Sequence, residues 1–154
     1  MTRQPAVTPS TNPCDERPPA PPCSKRPLEV GCSVMDGQHA QIYDCADTLF
    51  DALISGQELE KIGTIAQALC SACHDHFATE ERLMETLGYP DATGHAGEHL
   101  ALEQRLRTLA AGLAARPLEH GTVVALRELL FDWLVRHVSV ADRALAEHAT
   151  RAEA

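Results

Sequence analysis

Five histidines and two carboxylates stand at spacings that could bring their side chains to one point. His76 and Glu80 are four residues apart, and so are His95 and His99. Residues four apart lie above one another on one face of an α-helix, so each pair can converge on a common atom. His39 and His137 each fall on the apolar stripe of a separate segment, and Asp142 follows His137 by five residues. Each residue has an ordinary explanation by itself. His39 or His137 alone would more often be a satisfied core histidine, His95 and His99 could be a solvated pair, and Glu80 could sit in a solvated acidic stretch. Taken jointly these explanations fail. Burying five imidazoles and two carboxylates without partners costs on the order of several kcal/mol for each charged group. A bound metal removes that cost, because it supplies positive charge and uses the inward lone pairs.

Four helices are needed to carry these residues. Ser33 and Asp36 form a Ser-x-x-Asp helix start signal. His39, Ile42, Tyr43, Ala46, Leu49, Phe50 and Leu53 then repeat at three-four spacing until Ser55 and Gly56. The spacing predicts a second helix from about Glu58 to Leu87, with Ile62, Ala66, Leu69, Cys73, His76, Phe77, Glu80, Met84 and Leu87 inward. Gly88 suits a left-handed cap there, and Pro90 prevents continuation. A third helix starts near Asp91 or Thr93 and presents His95, His99, Leu102, Leu106, Leu109 and Leu113, with a break at Arg116 and Pro117. A fourth runs from near His120 to near His148 and presents Val124, Leu130, Trp133, Leu134, His137 and Leu145. With short connections and no alternating strand pattern, the simplest packing is all-α: an antiparallel up-down-up-down four-helix bundle.

Composition is consistent with one such domain. The chain has 154 residues, enough for a single core, and its abundance of Ala and Leu favours helix. Residues 1–28 hold eight of the ten prolines and few large apolar side chains, which predicts a disordered N-terminal tail ahead of a bundle over residues 29–150. The formal net charge of -9 argues against nucleic acid and against a basic membrane-binding patch. No apolar run reaches transmembrane length and no apolar leader opens the chain, so a cytoplasmic location is expected. In that compartment the default state of all six cysteines is the free thiol.

The motifs resemble those of bacterial hemerythrins. Asp36-Gly37-Gln38-His39 is similar to the family's Asp-x-x-His on the first helix. His76-Phe77-Ala78-Thr79-Glu80-Glu81-Arg82-Leu83-Met84, followed by Gly88-Tyr89-Pro90, is similar to its second-helix pattern. His95 to His99 matches the third-helix His-x-x-x-His, and Trp133-Leu134-Val135-Arg136-His137 with Asp142 matches the fourth. The resemblance covers roughly residues 29–148, in order, and fills all seven ligand positions of the family. It implies two iron ions. His95, His99 and His137 would bind one, His39 and His76 the other, and Glu80 and Asp142 would bridge them beside a solvent-derived oxo or hydroxo group. One iron would then be six-coordinate and the other would keep an open position for reversible binding of dioxygen. Phe77, Trp133, Leu134 and Val138 occupy positions that resemble the family's apolar oxygen pocket, although the same residues would serve as ordinary core.

Three further points bear on function. His137 and Asp142, five apart, sit about 140° around an ideal α-helix, so a local π-type widening is predicted there. Cys70-Ser71-Ala72-Cys73-His74 matches the c-type haem attachment pattern, but it falls where the second helix must pack and no export signal is visible, so the match reads as chance. His74, His120 and His148 read as surface residues. Ferritin-like di-iron sites use Glu-x-x-His pairs, and this chain contains none. A histidine-rich site has less anionic charge to stabilise oxidised iron, which favours carriage, storage or sensing of dioxygen over catalysis. The alternatives are a di-iron enzyme acting on peroxide or nitric oxide in the same fold, and an interaction module with a structural metal.

Overall fold

Asp36 fixes the start of the first helix. Its carboxylate accepts hydrogen bonds from the backbone N–H groups of Val30 (2.7 Å) and Gly31 (3.1 Å), just upstream of helix α1, Ser33–Ile54. Ser33 is itself helical, and Cys32 ahead of it makes no side-chain cap bond, so the carboxylate alone carries the start signal. Helix α2, Leu59–Leu87, ends on Gly88, whose φ of 59° is the left-handed conformation that only glycine adopts without penalty. Tyr89 N–H then reaches back to the Met84 carbonyl (2.9 Å), closing a Schellman turn, and both side chains pack in one apolar cluster. Helix α3 is Ala92–Ala115. The fourth helix is continuous: α4, His120–Asp132, a π-helical segment, Trp133–Asp142, and α5, Arg143–Glu153.

The computed structural model describes residues 28–115 and 120–153. The proline-rich tail expected over residues 1–28 lies outside them except for Leu28, as does the expected break at Arg116 and Pro117. Among the described residues every element is helical, and each helix packs on the next in chain order, which with such short connections gives an antiparallel bundle. None of these helices is long and apolar enough to cross a membrane.

The interior has two apolar parts. The larger includes Ile42, Leu49, Ile65, Leu69, Phe77, Leu113, Leu126 and Trp133. The smaller joins Met35 of α1, Met84 of α2 and Leu145 and Ala146 of α5. The buried polar residues lie about where one part gives way to the other, as His39 does between Met35 and Ile42 on α1, so a polar layer is clamped from both ends. Each fully buried Leu or Ile contributes about 1.5–3 kcal/mol, enough to force the polar layer inside.

Some inward assignments change. Tyr43 is 39% and Val124 41% exposed, and Phe50 and Leu87 are only partly buried. On α4 the core positions belong to Leu126, Leu129 and Leu130. Val124 and Leu130 are six residues apart, which leaves them about 120° apart around the helix, so one of the two must face out. The fourth helix also continues past His148 to Glu153.

Candidate metal centre

All seven predicted residues meet in the polar layer, each no more than 4% exposed. His39 comes from α1, His76 and Glu80 from α2, His95 and His99 from α3, and His137 and Asp142 from the π segment. Asp142 lies 3.1 Å from Nε2 of His39 through Oδ2, and 3.1 Å from Nε2 of both His95 and His137 through Oδ1. Glu80 Oε2 lies 3.0 Å from His99 Nε2, 3.4 Å from His95 Nε2 and 3.7 Å from His76 Nε2. The donors form two overlapping groups: Glu80, His95, His99, His137 and Asp142, and His39, His76, Glu80 and Asp142. Both carboxylates are shared. Within each group the ligand atoms lie within 4.8 Å of one another, close enough to hold a metal ion.

The π segment makes this convergence possible. Its wider i→i+5 turn brings His137 and Asp142 to one side of the helix, where a regular α-helix would splay them. The predicted widening is therefore present, and it extends over ten residues.

The outer ring nitrogens show which way the imidazoles are protonated. His137 donates from Nδ1 to Glu98 (2.8 Å) and His99 from Nδ1 to Glu81 (3.1 Å), since a carboxylate only accepts. His76 donates from Nδ1 to Oε1 of Gln38 (3.3 Å), whose amide nitrogen donates onward to Thr79 (3.0 Å). A neutral imidazole that donates from Nδ1 has only a lone pair at Nε2. His137 Nε2 thus faces both Asp142 Oδ1 and, at 3.2 Å, His95 Nε2. Lone pairs facing oxygen and nitrogen repel unless a proton or a cation lies between them. Neither oxygen of Glu80, nor Nε2 of His76 or His99, has a hydrogen-bond partner in the buried layer. These orphaned inward atoms are what a metal site requires, and the donor set fits a divalent transition metal.

Protons take part of that role without metal. Burial opposes ionisation of Asp142, but the close contacts of His137, His39 and His95, with His76 at 3.6 Å, outweigh it and hold its carboxyl well below the usual range. Burial likewise opposes ionisation of Glu80, and the close approach of His95 and His99 turns the balance downward. For His95 burial disfavours the charged ring, yet the contact with Asp142 and the close approach of Glu80 prevail and raise it to about 9. His137 also moves up, against burial, through Asp142 and Glu98.

The walls are aromatic and apolar. Phe77 stacks on His99 with centroids 4.2 Å apart, and Trp133 meets His76 edge-on at 6.2 Å. Val138 is fully buried, while the side chain of Leu134 lies outside the described residues. An apolar cavity bordered by Cys73, Phe77, Leu106, Leu129 and Trp133 adjoins this wall. Cys73 belongs to the core and burial pushes its thiol pKa up, so the Cys-x-x-Cys-His motif offers no accessible pair for haem. His74 is 58% exposed and bonds to Glu103 at 3.0 Å. Cys32, Cys70 and Cys73 are free, but Cys45 is disulfide-bonded, so the free-thiol expectation does not hold for every cysteine.

Gln38, Glu81 and Glu98 were not predicted as part of the site. Glu81 and Glu98 neighbour Glu80 and His99 in sequence, which is a clue only in hindsight. All three reach a histidine on another helix, and no spacing rule encodes that.

Comparison with known proteins agrees with this geometry. The sequence model of the Hemerythrin HHE cation binding domain matches residues 30–149. A bacteriohemerythrin from Stenotrophomonas maltophilia (strain R551-3) is 30% identical over 122 residues, covering 78% of this chain and 76% of the relative. One from Pseudomonas paraeruginosa (strain DSM 24068 / PA7) is 32% identical over 113 residues, with 72% and 70% covered. One from Methylococcus capsulatus (strain ATCC 33009 / NCIMB 11132 / Bath) is 32% identical over 108 residues, with 70% and 80% covered. A family match over most of the sequence, with the imidazole and carboxylate layer inside it, means that this chain belongs to the hemerythrin HHE cation-binding family.

Proposed function

We propose that the protein holds two iron ions and binds dioxygen reversibly, for carriage, storage or sensing rather than for catalysis. The observation that carries this reading is the pair of overlapping donor groups sharing Glu80 and Asp142. His95, His99 and His137 would hold one ion, and His39 and His76 the other. When bound, the reduced pair supplies the two electrons that dioxygen takes up and returns.

The chain's own residues do the rest. The position of His39 and His76 would have one nitrogen donor fewer, and so would be the one able to take dioxygen. Glu80 and Asp142 hold the two positions at a fixed separation, since each is anchored from a different helix. Phe77, Trp133 and Val138, with Leu134 by its place in the sequence, exclude water, so a proton has no ready route to the site. With five histidines against two carboxylates, the site has little anionic charge to favour oxidised iron, which supports release over activation.

The test is anaerobic loading with ferrous iron, metal counting, and visible spectra through cycles of oxygen and vacuum. Two irons per chain and a charge-transfer band that appears and vanishes are expected. One metal per chain, or zinc alone, refutes the di-iron reading. Steady turnover of peroxide or nitric oxide refutes the binding-protein reading in favour of an enzyme.

A further inference from the structure

Where a histidine of the layer has an outer hydrogen-bond partner, that partner's charge follows the two donor groups; Nδ1 of His95, in the three-histidine group, has none. In the three-histidine group His99 is backed by the carboxylate of Glu81 (3.1 Å) and His137 by that of Glu98 (2.8 Å). In the two-histidine group His76 is backed by the neutral amide of Gln38 (3.3 Å). His39 has no hydrogen bond at Nδ1. A carboxylate oxygen of Asp36 lies 3.9 Å from that Nδ1, but both Asp36 oxygens are engaged by the N–H groups of Val30 and Gly31. Gln38 is fixed in its neutral role: its Nε2 donates to Thr79, whose hydroxyl donates to the Asp75 carbonyl (2.8 Å), so only Oε1 is left to face His76.

A carboxylate on the outer N–H of an imidazole draws that proton away and makes the inner nitrogen a stronger donor; a neutral amide does so far less. We propose that Glu81 and Glu98 are positioning residues that tilt metal affinity within the pair, making the three-histidine position tighter than its extra nitrogen alone would make it. The neutral partner at His76 leaves the other position the weaker and more exchangeable one. This inference rests on the two-metal reading and adds to it a difference between the two sites.

Glu81 and Glu98 are 48% and 60% exposed, so they can be changed without touching the core. Glutamine at either position keeps an oxygen to accept the same hydrogen bond and removes only the charge. The experiment titrates metal-free full-length protein anaerobically with cobalt(II) against a competing chelator, followed by visible absorption. The wild type is expected to fill in two steps. E81Q and E98Q should each weaken the tight step about tenfold, the low end of the range for outer partners because solvent screens them, and leave the weak step nearly unchanged. Gln38→Glu should tighten the weak step instead. A tight step unmoved in both glutamine variants overturns the inference, including the case in which only alanine variants lose affinity, since that would mean orientation without charge. Equal weakening of both steps also overturns it. Fewer than two cobalt ions in the wild type would overturn the two-metal reading as well, whereas two ions with insensitive variants overturns this inference alone.

Discussion

Replacing Glu80 by leucine separates stability from metal binding. Glu80 is completely buried, and neither of its oxygens has a hydrogen bond in the polar layer. Its nearest partners, Nε2 of His99 at 3.0 Å and of His95 at 3.4 Å, hold its pKa down against burial. That shift compares ionised with protonated Glu80 in the same place; it does not compare glutamate with an apolar side chain. Leucine removes the desolvation cost and adds apolar surface beside Phe77 and Met84, one turn away on the same helix face. Replacing buried ionic groups with packed apolar residues stabilises by about 1–4 kcal/mol where no partner is left as an unpaired charge, and here His95 keeps Asp142 at 3.1 Å. For a chain of this size each kcal/mol moves Tm by about 2–4 °C, so metal-free E80L should melt about 2 °C higher at least and roughly 15 °C at most. Metal should reverse the order. The wild type gains about 2.7 kcal/mol for each ion at a free metal concentration a hundredfold above its Kd, roughly 5.4 kcal/mol for two, and E80L, lacking a shared carboxylate, should gain little. Thermal unfolding by circular dichroism, with and without ferrous iron under anaerobic conditions, gives all four values. Metal-free E80L melting below metal-free wild type would refute the reasoning, for it would show that the histidines satisfy Glu80 without a cation.

Other expectations follow from single residues. His95 has a folded pKa of about 9 against 6.5 unfolded, so its contribution to metal-free stability is complete below pH 6.5 and is lost as pH rises to about 9. Metal-loaded protein should show the opposite slope, because metal needs the imidazoles deprotonated; urea midpoints at pH 6.5 and 9 check both signs, and parallel slopes would contradict the assignment. Gly88→Ala forces a Cβ into a left-handed backbone and should cost about 1–2 kcal/mol in urea unfolding, with metal stoichiometry unchanged. Cys73, buried with a raised pKa, should resist iodoacetamide in the native state while half-buried Cys32 is alkylated, as peptide mass mapping would show; early loss of the Cys73 thiol would mean that the core there opens readily.

Much of this site was legible in the sequence because its signals are local. The residue types name the donors, and the four-residue spacing of His76 with Glu80 and of His95 with His99 fixes a common face through helix geometry alone. The awkward five-residue step from His137 to Asp142 even announced the π segment, because no regular helix aligns those two. Gly88 followed by Pro90 marked a helix end for backbone reasons that need no neighbour. What the sequence left open depends on how helices are rotated against one another. The outward turn of Val124 is one case, and the outer partners Gln38 and Glu98, which reach histidines on other helices, are another. Periodicity says which face of a helix turns inward, but only packing decides which atom on a neighbouring helix that face meets.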